Sequence, residues 1–255
     1  MDFDRYWNII LFRTYAELKA EAQLNYMGYV WWLLEPLLNT VLFYVILVFV
    51  LEQNTADAIS FILVAAVTWQ WFSGSVLATA GSIFDAGGML KQIYLPKVVL
   101  PLISIFTSLW KFGFVFVCLL IWVWVSGHAP SAAYVALPLL LGLEFLVIVF
   151  TSLPLAAITP YFPDARVSMD SLLRSLMLVS GIFFPVEKIS PQYHIYFYVN
   201  PMAILIEAYR SILLHGNWPN WRLLSWVAIY CAIMMVLSVW LYVRIDRSIV
   251  KAIHR

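Results

Sequence analysis

The sequence predicts an all-α integral membrane protein. It has six transmembrane helices, an N-terminal amphipathic interface helix and re-entrant outer-side helices between spans five and six. Three observations predict this class. Of 255 residues, 64% are hydrophobic and 11% charged, against about 25% charged in soluble domains. Apolar runs of roughly 20 residues, the length that crosses a bilayer, recur along the chain. The third is the stretch from Ser180 to Gly216, which is apolar enough for a membrane yet broken twice, at Ser190-Pro191 and Asn200-Pro201. Each break has the form of a helix start, a capping Ser or Asn followed by Pro at the first helical position. Broken backbone at membrane depth persists only inside protein or beside a watery cavity, so this stretch points to a pathway.

Residues 1–30 form the first unit. Trp7, Ile10, Leu11, Leu18 and Ala22 share one stripe, and Arg13 and Glu17 stand i, i+4 elsewhere. Such a helix rests in the interface plane, as a plain anchor or as a dock for a partner. These residues hold no long apolar run or small-residue cleavage site, so no signal peptide is expected. Residues 31–255 form the membrane domain, with spans at about 31–51, 58–80, 98–125, 133–158, 167–184 and 223–243. Between spans two and three, Gly87-Gly88, Pro96 and Pro101 divide an inside segment (81–97 and its flank), which reads as a stiff lever or as a connecting loop. After span five comes the broken element, 185–216.

Orientation follows the Lys/Arg bias. With both termini cytoplasmic, eleven of the 15 Lys and Arg residues lie inside and three, Lys188, Arg210 and Arg222, outside; Lys111 falls within a span. A net charge of +1 carries no nucleic-acid signal, and Cys118 and Cys231 sit in separate apolar runs that suggest neither a disulfide nor a metal site.

Several residues stand out against this background. Lys111 and Glu144 both fall near mid-depth of antiparallel spans, where a lone charge costs at least ~2.5–3.5 kcal/mol. A structural ion pair between them is expected, with a substrate or proton role as the alternative. Glu35 and Asn39, with Phe43 a turn further, make a polar stripe in span one. It lines a pore, or it serves a dimer contact or the break at Pro36. Arg174, Met177, Gly181 and Phe184 share a face of span five, with Gly181 and Phe184 as further pore candidates and Arg174 near the cytoplasmic end as a pore-facing or a snorkelling residue. Trp69, Trp71 and Phe72 lie mid-span, as core packing or as an aromatic wall along which a sugar chain slides. Glu207 and Arg210 stand i, i+3 after Asn200-Pro201, as an ion pair or as a pin for that helix.

These residues resemble a known family, the membrane subunits of type-2 ABC exporters for O-antigen, capsular or teichoic polysaccharide. The resemblance covers the whole chain. It is carried by the entry from Leu24-Asn25-Tyr26 to Trp31-Trp32-Leu33-Leu34-Glu35-Pro36, by Lys91…Leu95-Pro96, by Gly181-Ile182-Phe183-Phe184-Pro185, and by Asn200-Pro201 followed by Ile206-Glu207-Ala208-Tyr209-Arg210. Met27 stands where the family commonly has Leu. The resemblance implies a homodimer in a bacterial inner membrane above two ABC ATPase subunits, moving a lipid-linked polysaccharide. It implies ATPase contacts through the N-terminal helix and residues 81–95, with Arg13, Glu17, Asp85, Lys91 and Tyr94 as coupling residues. It also implies an outer gate containing Pro185, Pro191, Asn200, Pro201, Glu207 and Arg210.

No cofactor is expected on this chain. It has no G-x-x-x-x-G-K-[ST] loop, so ATP and Mg belong to the partner ATPase. Two other classes compete with the exporter: a membrane enzyme on lipid-linked sugars, and an ion-coupled carrier using Lys111 and Glu144. The four histidines, His128, His194, His215 and His254, are scattered without an acid/base cluster, and no inverted repeat is visible.

Overall fold

The computed structural model describes residues 3–24, 28–45, 57–86, 96–162, 164–186 and 189–245. Among these, all regular structure is helical. The helices are α1 (Phe3–Leu24), α2 (Val30–Val45), α3 (Ala58–Asp85), α4 (Val99–Val125), α5 (Leu137–Ile158), α6 (Ala165–Leu178), α7 (His194–Tyr198), α8 (Pro201–Leu213) and α9 (Trp221–Ile245). Short 3-10 turns at Ala132–Ala136 and Pro191–Tyr193 lead into α5 and α7. Among the described residues, four stretches are long and apolar enough to cross a membrane: Ala58–Asp85, Val99–Val125, Ala132–Ile158 and Trp221–Arg244. They coincide with the expected second, third, fourth and sixth spans.

The bundle is organised around α3, which packs against α2, α4, α5, α6 and α8. Small residues such as Ala65, Ser75, Thr79, Ala80 and Gly81 let neighbouring backbones approach it closely. Its Ile62, Val64, Val76 and Ile83 are fully buried. On the other side of the core, α5 and α9 are joined by hydroxyls: Thr151 Oγ1 lies 2.9 Å from the Tyr230 hydroxyl, and Ser238 donates to the Phe150 carbonyl. Bonds of this kind compensate for the missing hydrophobic drive between helices in lipid.

Two elements depart from the sequence expectation. The first is α1, whose stripe is partly covered within the protomer, although Trp7 and Leu11 remain exposed. Ile10 is buried against Val99 and Ile103 of α4, and Trp7 meets Phe106 edge-on at 5.4 Å. Further along, Thr107 donates to Glu17 and Lys111 pairs with Glu21. The contacts of Ile10, Glu17 and Glu21 advance together along both chains, so α1 runs beside the first half of α4 in the same direction.

The second departure is the expected span at 167–184. Its helix, α6, has 14 residues and ends at Leu178. It carries Arg166, Asp170 and Arg174, and its one buried residue is Leu173. The helix stops because Gly181 takes a left-handed conformation, φ +74°, and because the carbonyls after it turn toward another helix. A Cβ on Gly181 would stand 2.7 Å from the Phe197 ring, so this turn needs glycine for its space as well as its backbone angle.

Candidate functional site

The site is built on α8. Asn200 caps that helix as its Asn-Pro pair predicts: it is extended (φ −82°, ψ 111°), and its Oδ1 accepts from the Met202 amide at 3.0 Å. Its Nδ2 donates to Ser180 Oγ at 2.6 Å. Ser180 in turn donates to the Leu176 carbonyl, closing the last turn of α6. One asparagine therefore fixes the start of α8 to the end of α6. Ten of the 13 residues of α8 are buried, because it lies against α3, α5 and α9.

Three turns along, Arg210 is 6% exposed. Its guanidinium makes four hydrogen bonds to three main-chain carbonyls. Nη1 donates to Gly181 O at 2.6 Å and Nη2 to Ile182 O at 2.8 Å. Nε and Nη2 both donate to Phe61 O, at 3.1 and 3.0 Å. The guanidinium carbon also sits 3.3 Å from the centroid of the Phe61 ring. The planar fork suits this arrangement as a lysine would not. It supplies donors to the broken backbone of Gly181-Ile182 and locks that turn to the first turns of α3. Beside it, the Tyr198 hydroxyl donates to Glu207 at 3.1 Å, tying α7 to α8. A cavity of about 220 Å³ opens here, lined by Phe61, Pro185, Val186, Glu207, Arg210 and His215 among others.

The opposite end of α3 carries another tie. Asp85 meets Arg166, the second residue of α6, at 3.3 Å. Gly81 lies under this pair: a Cβ there would stand 2.8 Å from Asp85 Oδ2 and 3.1 Å from the Arg166 guanidinium. So α6 and its turn are fastened at Asp85 at one end and at Phe61, through Arg210, at the other. Phe61 and Asp85 are 24 positions apart on α3, or about 36 Å at ~1.5 Å per residue.

A charged cluster lies nearer the middle of the bundle. Glu21 of α1 pairs with Lys111 of α4 and accepts from Trp32 Nε1 of α2 at 3.2 Å. The Lys111 ammonium is also 5.6 Å from the Trp32 ring centroid.

A profile described as ABC-2 type transporter matches residues 13–214. The chain belongs to the ABC-2 type transporter family. That match spans α2 to α8 and so contains every residue of the Arg210 clamp. The chain is 25% identical over 218 residues to the O-antigen export system permease protein RfbA of Myxococcus xanthus, covering 85% of this chain and 84% of that one. It is 21% identical over 216 residues to the protein of the same name from Klebsiella pneumoniae, 83% and 82% covered. It is 23% identical over 220 residues to the polysialic acid transport protein KpsM of Escherichia coli, with 85% of each covered.

Within this family frame, the sequence-derived candidates sort as follows. Gly181, Phe184, Pro185, Asn200, Pro201, Glu207 and Arg210 converge on one site. Phe184 approaches Phe197 at 6.0 Å, and Pro191 starts the 3-10 turn before α7. The Lys111–Glu144 pair does not form: Lys111 is taken by Glu21, and Glu144 is fully buried on α5 with no hydrogen-bond partner among the described residues. The reason is reach, since α1 brings a carboxylate to Lys111 and α8 stands against α5 at Glu144. Trp69 and Phe72, open between core packing and an aromatic wall, are 5% and 6% exposed; they pack in the core because α3 is surrounded on all sides, so neither serves as a pore wall. Phe43 packs edge-on against Phe183 at 4.7 Å, which ties α2 to the same turn that Arg210 holds. Glu35 is exposed and Asn39 half-buried. At the Pro36 break it is Thr40 that bonds the Pro36 carbonyl, at 2.8 Å. Arg13 is exposed on α1; Lys91 and Tyr94 lie outside the described residues.

Sequence reasoning missed Glu21 and Arg166 as partners. For Glu21 a signal existed: it stands one turn beyond Glu17 on the same helix. Arg166 gave none, because its partner is 81 positions away.

Proposed function

We propose that this chain is the channel-forming permease of an ATP-driven exporter that moves a lipid-linked cell-surface polysaccharide, such as O-antigen or capsule, across the cytoplasmic membrane. The observation that carries this reading is the Arg210 clamp. It is a broken, apolar, capped element buried at one end of a membrane bundle, with its main-chain carbonyls satisfied by an internal arginine. An anchor needs no such element, whereas a gate does.

The finer architecture follows from the same reading. The protomer spans the membrane six times, with α2 within the first span and α6 plus its turn as the fifth. Its two tie points stand about 36 Å apart along α3, more than the ~30 Å of a hydrocarbon core. The Lys/Arg bias puts both termini in the cytoplasm of a bacterial cell, with α1 at the inner interface and α7 and α8 as re-entrant helices on the outer side. Two copies enclose the channel above two ABC ATPase subunits, which bind ATP and Mg. Arg13, Asp85, Lys91 and Tyr94 contact those ATPases, whereas Glu17 is engaged by Thr107 of α4. Closure of the ATPases moves the segment after α3, Arg166 carries that motion into α6, and α6 delivers it to the Gly181 turn. There the clamp yields and the outer gate opens. No covalent chemistry takes place on this chain.

Reconstitution in liposomes with a partner ATPase tests the proposal by ATP-dependent movement of lipid-linked glycan. Transport driven by a proton gradient without ATP would overturn it. A disulfide between Gln192→Cys residues of the two protomers should arrest transport, with recovery on reduction. Transport that continues through the locked gate removes the gating role.

A further inference from the structure

The α1–α4 junction contains a cavity of about 380 Å³ that the clamp does not use. It lies among α1, α2, α3 and α4, and its polar lining is specific. Glu35, Gln70 and Ser108 line it with no partner among the described residues. Trp71 and Ser75 line it too, 5% and 1% exposed, and neither Trp71 Nε1 nor Ser75 Oγ has a hydrogen-bond partner among the described residues. Both atoms are closed off from the cavity, so the polar groups that face an occupant are those of Glu35, Gln70 and Ser108. The Trp71 ring is held flat against Phe112, 3.9 Å between centroids with planes 7° apart, so its indole N–H is fixed in place. The Lys111–Glu21 pair forms another part of the wall.

We propose that this cavity binds a segment of a neutral glycan during its passage. The inference rests on the export reading above and adds to it a place where the chain is held. Four features select the ligand. Carboxylate, amide and hydroxyl groups offer both donors and acceptors, which suits sugar hydroxyls that need both. The exposed face of Trp31 and the ring of Trp32 supply apolar surface for the C–H face of a pyranose. The volume falls in the range of small-ligand pockets, about 300–1,000 Å³. Finally, Lys111 is balanced by Glu21, so Glu35 leaves the cavity with a net negative charge, which opposes a phosphate-bearing lipid head and leaves a neutral polyol as the matching class.

Gly74 makes the cavity testable without disturbing the fold. It lines the space, and a Cβ added there meets nothing within 4 Å. The full chain in lipid nanodiscs is titrated with maltoheptaose and, separately, with farnesyl phosphate, following saturation transfer to the ligand protons. Maltoheptaose should bind the native chain and the Gly74→Ala variant alike. Gly74→Leu should abolish the signal and Gln70→Leu should weaken binding about tenfold, while Val117→Ala, on the exposed face of α4, should leave it unchanged. Two results overturn the assignment: no maltoheptaose binding to the native chain, or binding of farnesyl phosphate, and not maltoheptaose, that Gly74→Leu removes. A chain that transports glycan but binds maltoheptaose equally in Gly74→Leu loses this inference and keeps the export reading. A chain that binds in the cavity yet moves no glycan with ATP loses the export reading.

Discussion

Replacing Arg210 tests the clamp directly. Arg210→Ala removes four hydrogen bonds to three carbonyls. Phe61 lies within α3, so its carbonyl keeps a helical partner. The carbonyls of Gly181 and Ile182 lie in a turn, both residues are buried, and each is left without its donor. An unsatisfied buried polar group costs about 1–3 kcal/mol, so the two together cost about 2–6 kcal/mol. Loss of the contact with the Phe61 ring adds about 0.5–2 kcal/mol. At roughly 2–4 °C per kcal/mol for a chain of this size, a loss of about 4 kcal/mol lowers the apparent Tm by about 8–16 °C. Arg210→Lys keeps the charge but loses the fork, so it should fall between the native chain and Arg210→Ala. The assay is thermal unfolding in detergent, paired with limited proteolysis near residues 179–186. A native Tm and native protease resistance in Arg210→Ala would show that the clamp holds nothing, and the gate reading would fall with it.

Other predictions follow from the same contacts. Gly181→Ala forces a side chain into the left-handed region and onto the Phe197 ring; it should cost about 1–3 kcal/mol and reduce transport, and a native melting profile would contradict the close packing. Lys111→Met leaves Glu21 beside Trp32 without its cation, whereas Lys111→Met with Glu21→Gln should be milder than the single change; folding yields in membranes give the comparison, and a worse double variant would remove the pair. Arg166→Ala breaks a half-exposed pair worth no more than about 1 kcal/mol, so stability should barely change while ATP hydrolysis with the partner ATPase continues and glycan movement falls. Equal losses of hydrolysis and transport would place Arg166 outside the coupling path. Asn200→Ala should cost about 1 kcal/mol for the lost cap and more through the lost bond to Ser180, which Ser180→Ala should partly reproduce; additive effects of the two changes would argue against their contact.

Much of the helical order was legible because lipid imposes a simple rule. Spans two, three, four and six read as uninterrupted apolar runs, and all four are long helices. The Asn200-Pro201 start was equally legible, since capping is local chemistry between neighbours in sequence. Span five was not, because its end is set by a carbonyl turn that Arg210 satisfies from 28 and 29 positions away. The Lys111 pairing failed for a similar reason. Depth in a span says which residues lie at one level, but it does not say which helices are neighbours.

By itself, then, the sequence determined the class of molecule, the positions of its long apolar helices and the place where its backbone breaks. Those properties follow from hydropathy and local capping, which act along the chain. Only the tertiary structure decided what the break is for. It shows Arg210 turned inward to three carbonyls, Glu21 rather than Glu144 against Lys111, and Trp69 and Phe72 in the core. Each of these depends on which helix lies beside which, and that is set by packing between residues far apart in sequence.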